Sequence, residues 1–367
     1  MTHASRPDVL VVGGGIIGLS IALELADRGA KVKLIDRGEP GREASWAGAG
    51  ILPPGSGYSG HPALEAMAAR SNVLHPRLSG RLREETGIDD GYVRCGAIYM
   101  TTSEPSDGES ETLMRWRARG AVVEPATPSH LSGLAVPPQR AAHWVPAEAS
   151  VRNPRRLKAL VRLCELAGVS VEAGVEARSL RLKGSRVASV VVDRGELCCG
   201  AVCLAAGCWS GPLAERLGMR APVRPIKGQI ALLRGPVGLL PHVVHDGDFY
   251  LTPRADGRVV VGSTVEDVGF DKTTEADAIS ALVGHAHRLA PALRQTELES
   301  CWAGLRPASC DGLPILGRIA GYENAYIGGG HFRAGLHLAP STAELVCGTI
   351  EGKTLEPPFV DLAASRF

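Results

Sequence analysis

The chain begins with an apolar run, Val9-Leu-Val-Val12, that breaks into glycines and resumes with helical periodicity from Ile16 to Arg28. A short run of aliphatic residues without alternation marks a strand buried on both faces. A second run, Lys31 to Asp36, ends on an acid, completing a βαβ pattern. Residues 62–86 carry a helical pattern, 92–102 a strand-like one, and Leu113 to Arg119 reads as a short helix. Asn153 to Ala167 is a helix with Pro154 in its first turn, where a missing N–H costs nothing. Strands are expected at Val169–Val171, Val187–Val192 and Ala201–Ala206. Val223–Leu233 and Phe249–Val261 alternate as antiparallel strands, the second turning at Ala255-Asp-Gly257. Ala276–Leu289 is a helix, and the tail reads as strand Ala325–Ile327, glycine run Gly328–Gly330, then a helix from about Ser341 to Ile350. Between these, Gly41 to Gly60 is too rich in Gly, Ala and Pro for a long regular element.

Composition narrows the class. A chain of 367 residues has room for two domains, and 44% hydrophobic with 22% charged residues is ordinary for a globular enzyme. A formal net charge of +1 gives no support for nucleic acid or a membrane surface as partner. The apolar stretch Val9–Leu23 is interrupted by Gly13, Gly14, Gly15 and Gly18, and it falls short of the roughly 20 residues a spanning helix needs. It also lacks the cleavage pattern of a secretory signal. The nine cysteines include no paired C-x-x-C motifs, so a metal site is not expected and reduced thiols in a cytoplasmic protein are. His61, His75, His143, His242 and His245 have no metal-like spacing and are expected on the surface or in loops.

The candidate chemistry starts at Gly13-Gly-Gly-Ile-Ile-Gly18, which matches G-x-G-x-x-G. Gly13 permits the tight turn, Gly15 lets the backbone approach a pyrophosphate, and Gly18 lets the helix pack close to the strand. The helix start offers free N–H groups and a positive dipole end to phosphates. Asp36 stands where a ribose-binding carboxylate is expected, and its charge would repel a 2′-phosphate. FAD rather than NAD is indicated by three further segments: the small residues and hydroxyl of 42–51, the turn Leu204–Gly211 that includes Gly207, and the second glycine loop Gly328–Gly335.

At this point the sequence resembles the D-amino acid oxidase superfamily of FAD enzymes, and within it the glycine oxidases of bacterial thiamine biosynthesis. The resemblance rests on V-V-G-G-G-I-I-G (11–18), A-A-G-C-W-S-G (205–211), P-I-K-G-Q (225–229), F-Y-L-T-P-R (249–254), V-V-G-S-T (260–264), W-A-G-L-R-P (302–307), D-G-L-P-I-L-G (311–317) and G-H-F-R-A-G-L-H-L-A-P (330–340), in order over nearly the whole chain. It implies an α/β fold with two domains. A Rossmann-like FAD-binding domain with a parallel sheet, split over 1–90, 151–222 and 301–367, carries an antiparallel-sheet substrate domain of α+β type from 91–150 and 223–300. It also implies non-covalent FAD. Ile16 and Ile17 would line the ADP turn, and Asp36 with Arg37 the ribose. Ala44, Ser45, Ala49, Gly50 and Ile51 would lie along the pyrophosphate and flavin, and Val175 by the adenine. His331, Phe332, Arg333, Ala334, Gly335, Leu336 and His337 would surround the flavin ring. The chain departs from the family at Asp36 (often Glu), Ala334 (often Asn) and Val265 (often Met), and by Pro53 and Pro54 after Ile51. These departures bear on substrate preference.

Tyr250, Arg306 and Arg333 are the candidate substrate residues. The planar fork of Arg333 suits a carboxylate, though the same residue could serve a structural ion pair. Tyr250 could donate its hydroxyl to that carboxylate or simply fill the core. Arg306 could lie by flavin or substrate, or bridge domains. No residue is required as acid or base, because the cofactor carries the hard chemistry, and His331 is expected to be structural. Cys310 lies near the expected flavin pocket without forming a link to it. The implied reaction is oxidative deamination of glycine, sarcosine or a small D-amino acid to an imine and 2-oxo acid. Ammonia and hydrogen peroxide are released, oxygen is the acceptor, and thiamine thiazole synthesis is the context. The alternatives are a D-amino acid dehydrogenase or oxidase, and an FAD-binding subunit of a hetero-oligomeric amine oxidase. Relatives assemble as homo-oligomers, and no nucleic acid or membrane partner is expected.

Overall fold

The computed structural model describes residues 6–57, 59–102, 108–220 and 223–367. A six-stranded sheet holds, in order, Ile315–Arg318, Ala325–Gly329, Ala201–Leu204, Val9–Val12, Val32–Ile35 and Ser170–Glu172. Val9–Val12 pairs in parallel with both its neighbours, Ala201–Leu204 and Val32–Ile35. Its side chains alternate between two cores. Val9 and Val11 face the helices Ile16–Asp27, Pro62–Thr86, Asn153–Leu166 and Gly335–Ile350. Leu10 and Val12 face a second core, roofed by the antiparallel meander Ala177–Lys183, Arg186–Val192 and Gly195–Cys198. This is why the first strand is apolar at every position. Each fully buried Val or Leu contributes about 1.5–3 kcal/mol.

An eight-stranded sheet is ordered Glu297–Ala308, Arg224–Arg234, Arg258–Gly262, Phe249–Pro253, Val243–Asp246, Ala97–Thr102, Arg140–Val145 and Glu124–Pro125. It is antiparallel except where Val243–Asp246 runs parallel to Ala97–Thr102. Here the period-two pattern decides the function of each face. Ala231, Leu251 and Val261 pack under the helix Ala276–Leu289. Their chain neighbours Ile230, Tyr250 and Val260 turn to the other face, against Ala49. The boundary expected between 300 and 301 falls within the strand Glu297–Ala308.

The structure corrects several sequence expectations. The tail helix starts at Gly335, not near Ser341, and runs through Pro340. Proline removes one backbone donor there, and side chains of the Pro62–Thr86 helix brace the same turn. His75 Nε2 donates to the His337 carbonyl at 2.9 Å, and the Ser341 N–H donates to Ser71 Oγ at 3.4 Å. His75 is therefore buried within a helix, while His143 and His245 lie on strands, contrary to the expectation of loops or surface. The outer strands of the meander carry no clear signal, because Arg178, Arg181 and Lys183 leave one of them largely exposed. No helix among the described residues is long and apolar enough to cross a membrane. Among them, no group of three or more His, Cys, Asp or Glu could hold a metal ion.

Candidate active site

The glycine turn is shaped by three separate constraints. Gly13 has φ of 108°, and a Cβ there would meet the Ala205 carbonyl oxygen at 2.5 Å. A Cβ on Gly18 would lie 1.9 Å from the Gly13 carbonyl oxygen, so Gly18 lets the first helix seat against the turn. A Cβ on Gly15 would meet only the Ser45 hydroxyl, at 3.2 Å, and would project into the cleft beside it. Asp36 braces the turn. Its Oδ2 accepts from the Gly14 N–H at 2.7 Å and its Oδ1 from the Gly38 N–H at 2.9 Å. Ser45 Oγ accepts from the Ile16 N–H at 2.9 Å, at the helix start. The guanidinium of Arg37 lies 3.7 Å over the Trp209 ring, and its Nη2 donates to Glu43 at 3.0 Å.

These residues line a cleft of about 1190 Å³, more than one small ligand fills. Every residue expected at the cofactor or substrate lines it, except Gly18, which works behind the turn. Residues distant in sequence are thus gathered: Asp36 and Val175, Ala44 to Ile51, Gly207, Tyr250, Arg306, and His331 to His337. The segment Ser45–Ala49 is held by side chains that carry no role in the sequence motifs. Arg254 Nη2 donates to the Ala49 carbonyl at 2.6 Å, and Nη1 to that of Val151 at 3.0 Å. Burial pushes the Arg254 guanidinium down to about 10. Trp302 Nε1 donates to the Ala47 carbonyl at 3.0 Å, and Asn153 Nδ2 to that of Ser45 at 2.7 Å. The arginine closing F-Y-L-T-P-R was the available sequence signal for the first of these contacts. His245 and Tyr99 also line the cleft. Their rings stack at 4.1 Å, and both side chains bond the fully buried Glu148. Val265 is exposed and does not line the cleft. Pro53 does line it, and the carbonyls of Pro53 and Pro54 both accept from Asn72 Nδ2, at 3.0 and 2.9 Å.

On the substrate side, Arg306 Nη1 donates to the carbonyls of Lys227 and Thr264 at 3.2 Å each, and Nη2 to Ser263 Oγ at 2.7 Å. It lies across Gly228, where a Cβ would stand 2.1 Å from Nη2. The obstructed atoms are the far end of a flexible side chain. Gly228→Ala is therefore expected to leave the thermal midpoint within about 3 °C but lower kcat/KM at least about tenfold, as a misplaced positioning group does. Steady-state kinetics beside thermal melts would show the split. Gly262 makes similar room for Tyr250, whose hydroxyl would lie 2.5 Å from a Cβ there. Burial raises the Tyr250 phenol above its ordinary value, against the opposing charge of Arg306, so it enters the cleft as a neutral donor. Arg333 Nη1 is ion-paired with Asp248, which also lines the cleft.

His331 Nε2 shares a hydrogen bond with Thr342 Oγ1 at 2.8 Å, and burial pushes the imidazole down to about 3. His337 Nε2 donates to Asn72 Oδ1 at 3.0 Å, and burial pushes its ring down to about 4. Both are uncharged and weakly basic at neutral pH, a poor match for general-base work. Cys310 is exposed and does not line the cleft, contrary to the sequence expectation. Cys208 does line it, but its thiol bonds the Leu305 carbonyl at 3.4 Å and burial pushes it up to about 12.

A mostly parallel sheet, antiparallel only at its edge strand Ile315–Arg318, whose first turn is a phosphate-type glycine cradle opening on a cleft shared with an antiparallel sheet, defines a dinucleotide-dependent enzyme. The chain belongs to the family of FAD dependent oxidoreductases (DAO), whose profile matches residues 8–348. It is an FAD-dependent oxidoreductase. It is 37% identical to the glycine oxidase of Pseudomonas aeruginosa over 97% of both chains. It is 31% identical to the bifunctional protein ThiO/ThiG of Trichormus variabilis, covering 98% of this chain and 55% of that one. The crystal structure of glycine oxidase from Geobacillus kaustophilus superposes with a TM-score of 0.93, at 32% identity over 99% of both chains.

Proposed function

We propose that this enzyme oxidises glycine, or an amine as small as sarcosine or a small D-amino acid, to its imine. Water then hydrolyses the imine, giving glyoxylate and ammonia from glycine, and oxygen leaves as hydrogen peroxide. The observation that carries the reading is the meeting of Tyr250, Arg306 and Arg333 in the same cleft as the glycine cradle. The full-length likeness to glycine oxidases supports it.

FAD, held without a covalent link, supplies the two-electron acceptor for the substrate α-carbon. Gly13, Gly15, Ser45 and the start of the first helix would hold its pyrophosphate, and Asp36, Arg37 and Val175 its adenosine. Ala44, Ala49–Ile51, Gly207 and His331–His337 would flank its remaining length, with Ile16 and Ile17 at the turn. The residues then have distinct tasks. Arg333 would receive the substrate carboxylate, and the neutral Tyr250 hydroxyl would donate to the same group. Arg306, fixed by three hydrogen bonds, would place a positive charge beside them. This orients the α-carbon without a protein base, consistent with the depressed imidazoles of His331 and His337. The six-stranded sheet with its segments near 1–90, 151–222 and 301–367 would carry the cofactor. Segments near 91–150 and 223–300 would close over the substrate. A cytoplasmic homo-oligomer serving thiamine thiazole synthesis completes the reading, supported by the likeness to ThiO/ThiG.

The test is a peroxide-coupled screen of glycine, sarcosine, D-alanine and D-proline, run beside anaerobic mixing that follows the flavin absorbance. Glycine or sarcosine is expected to bleach the flavin and yield peroxide. If none of the four bleaches it, the reading fails.

A further inference from the structure

The turn joining strands Val243–Asp246 and Phe249–Pro253 brings Gly247 and Asp248 to the cleft wall. The Asp248 carboxylate is paired with Nη1 of Arg333. The two partners differ sharply in exposure: the Arg333 side chain is 15% exposed and that of Asp248 69%. The arginine is thus part of the wall, and the acid reaches it from the solvent side of the cleft. Its backbone neighbour Gly247 has φ of 62°, the left-handed conformation of a tight hairpin turn. Asp248 also stands two residues before Tyr250 on the same hairpin, so the turn that places the substrate-side hydroxyl also places this carboxylate.

We propose that Asp248 is a resident occupant of the carboxylate site on Arg333, which the substrate carboxylate must displace or share, so that Asp248 sets the affinity for amino acid substrates. The proposal rests on the reading of Arg333 given above. A carboxylate is the one group that reproduces the charge and acceptor geometry of the substrate's own anchor. An exposed acid on a turn can withdraw into water at small cost, whereas the enclosed arginine stays in place. The pair therefore exchanges one carboxylate for another rather than binding into an open charge.

The experiment replaces Asp248 by Asn in the FAD-loaded enzyme. It measures KM for glycine and the dissociation constant of acetate, a non-reactive carboxylate, from its perturbation of the flavin spectrum. Both are expected to fall by about three- to fivefold, the scale of a half-exposed ion pair. In an Arg333→Leu background, Asp248→Asn is expected to leave acetate affinity unchanged, because the competition has no site. Unchanged or weakened acetate binding in Asp248→Asn, with Arg333→Leu still weakening it, overturns the role of Asp248 alone. If Arg333→Leu itself leaves KM and acetate affinity unmoved, the reading of Arg333 falls, and this proposal with it.

Discussion

Arg333→Leu is expected to raise KM for glycine by about a hundredfold or more. The side chain is 15% exposed and lies in the cleft with Tyr250 and Arg306. Removing one partner of an enclosed, hydrogen-bonded charge pair costs about 2–5 kcal/mol, which spans factors from tens to thousands. The upper part of that range applies if the guanidinium takes both carboxylate oxygens, since leucine offers neither charge nor donor. Loss of the Asp248 pair subtracts little, because Asp248 is 69% exposed and returns to water. The effect should therefore appear in substrate affinity rather than in folding. Acetate perturbation of the flavin spectrum should weaken in parallel, with the thermal midpoint nearly unchanged. A KM within about threefold of the parent would assign Arg333 to the structural ion pair alone.

How much of this was legible in the sequence depends on the range of the interaction. The strand Val9–Val12, the glycine turn and Asp36 are a local unit, and local periodicity reads them well. The helices Pro62–Thr86 and Ala276–Leu289 appear with the bounds their patterns suggest. The tail helix begins earlier than its pattern suggests because Pro340 reads as a barrier. What braces that turn, His75 and Ser71, comes from a helix more than two hundred residues away. Arg254 shows the same limit at the site. Its motif was visible, but its task of holding the Ala49 and Val151 carbonyls exists only once two remote segments meet. Asp248 carries no motif at all. It becomes meaningful only through the placement of Arg333. Cys310 shows the opposite error. It is close to the site's motifs along the chain, but the strand Glu297–Ala308 carries it past the cleft to an exposed position.

Gly18→Ala is expected to strip the enzyme of FAD and lower its thermal midpoint by roughly 1–4 °C, on an overpacking cost of about 1–3 kcal/mol. The reason lies in what the new methyl would meet. Its Cβ would stand 1.9 Å from the Gly13 carbonyl oxygen and 3.4 Å from the Ala205 Cβ. Neither neighbour is the end of a flexible side chain. Gly13 is already held at φ of 108° with the Ala205 backbone close behind it, so the turn cannot retreat. The helix Ile16–Asp27 must move instead, and with it the Ile16 N–H that donates to Ser45. Gly15→Ala provides the contrast. Its Cβ would meet only the Ser45 hydroxyl, at 3.2 Å, and would otherwise enter the cleft. That variant should fold with a midpoint close to the parent's apoprotein, yet bind FAD at least about tenfold more weakly, because the methyl fills the cradle rather than the core. Absorbance of bound flavin against protein, measured beside melts with and without added FAD, separates the two cases. Equal flavin content in Gly15→Ala and the parent would show that the backbone at Gly15 is not where the pyrophosphate rests.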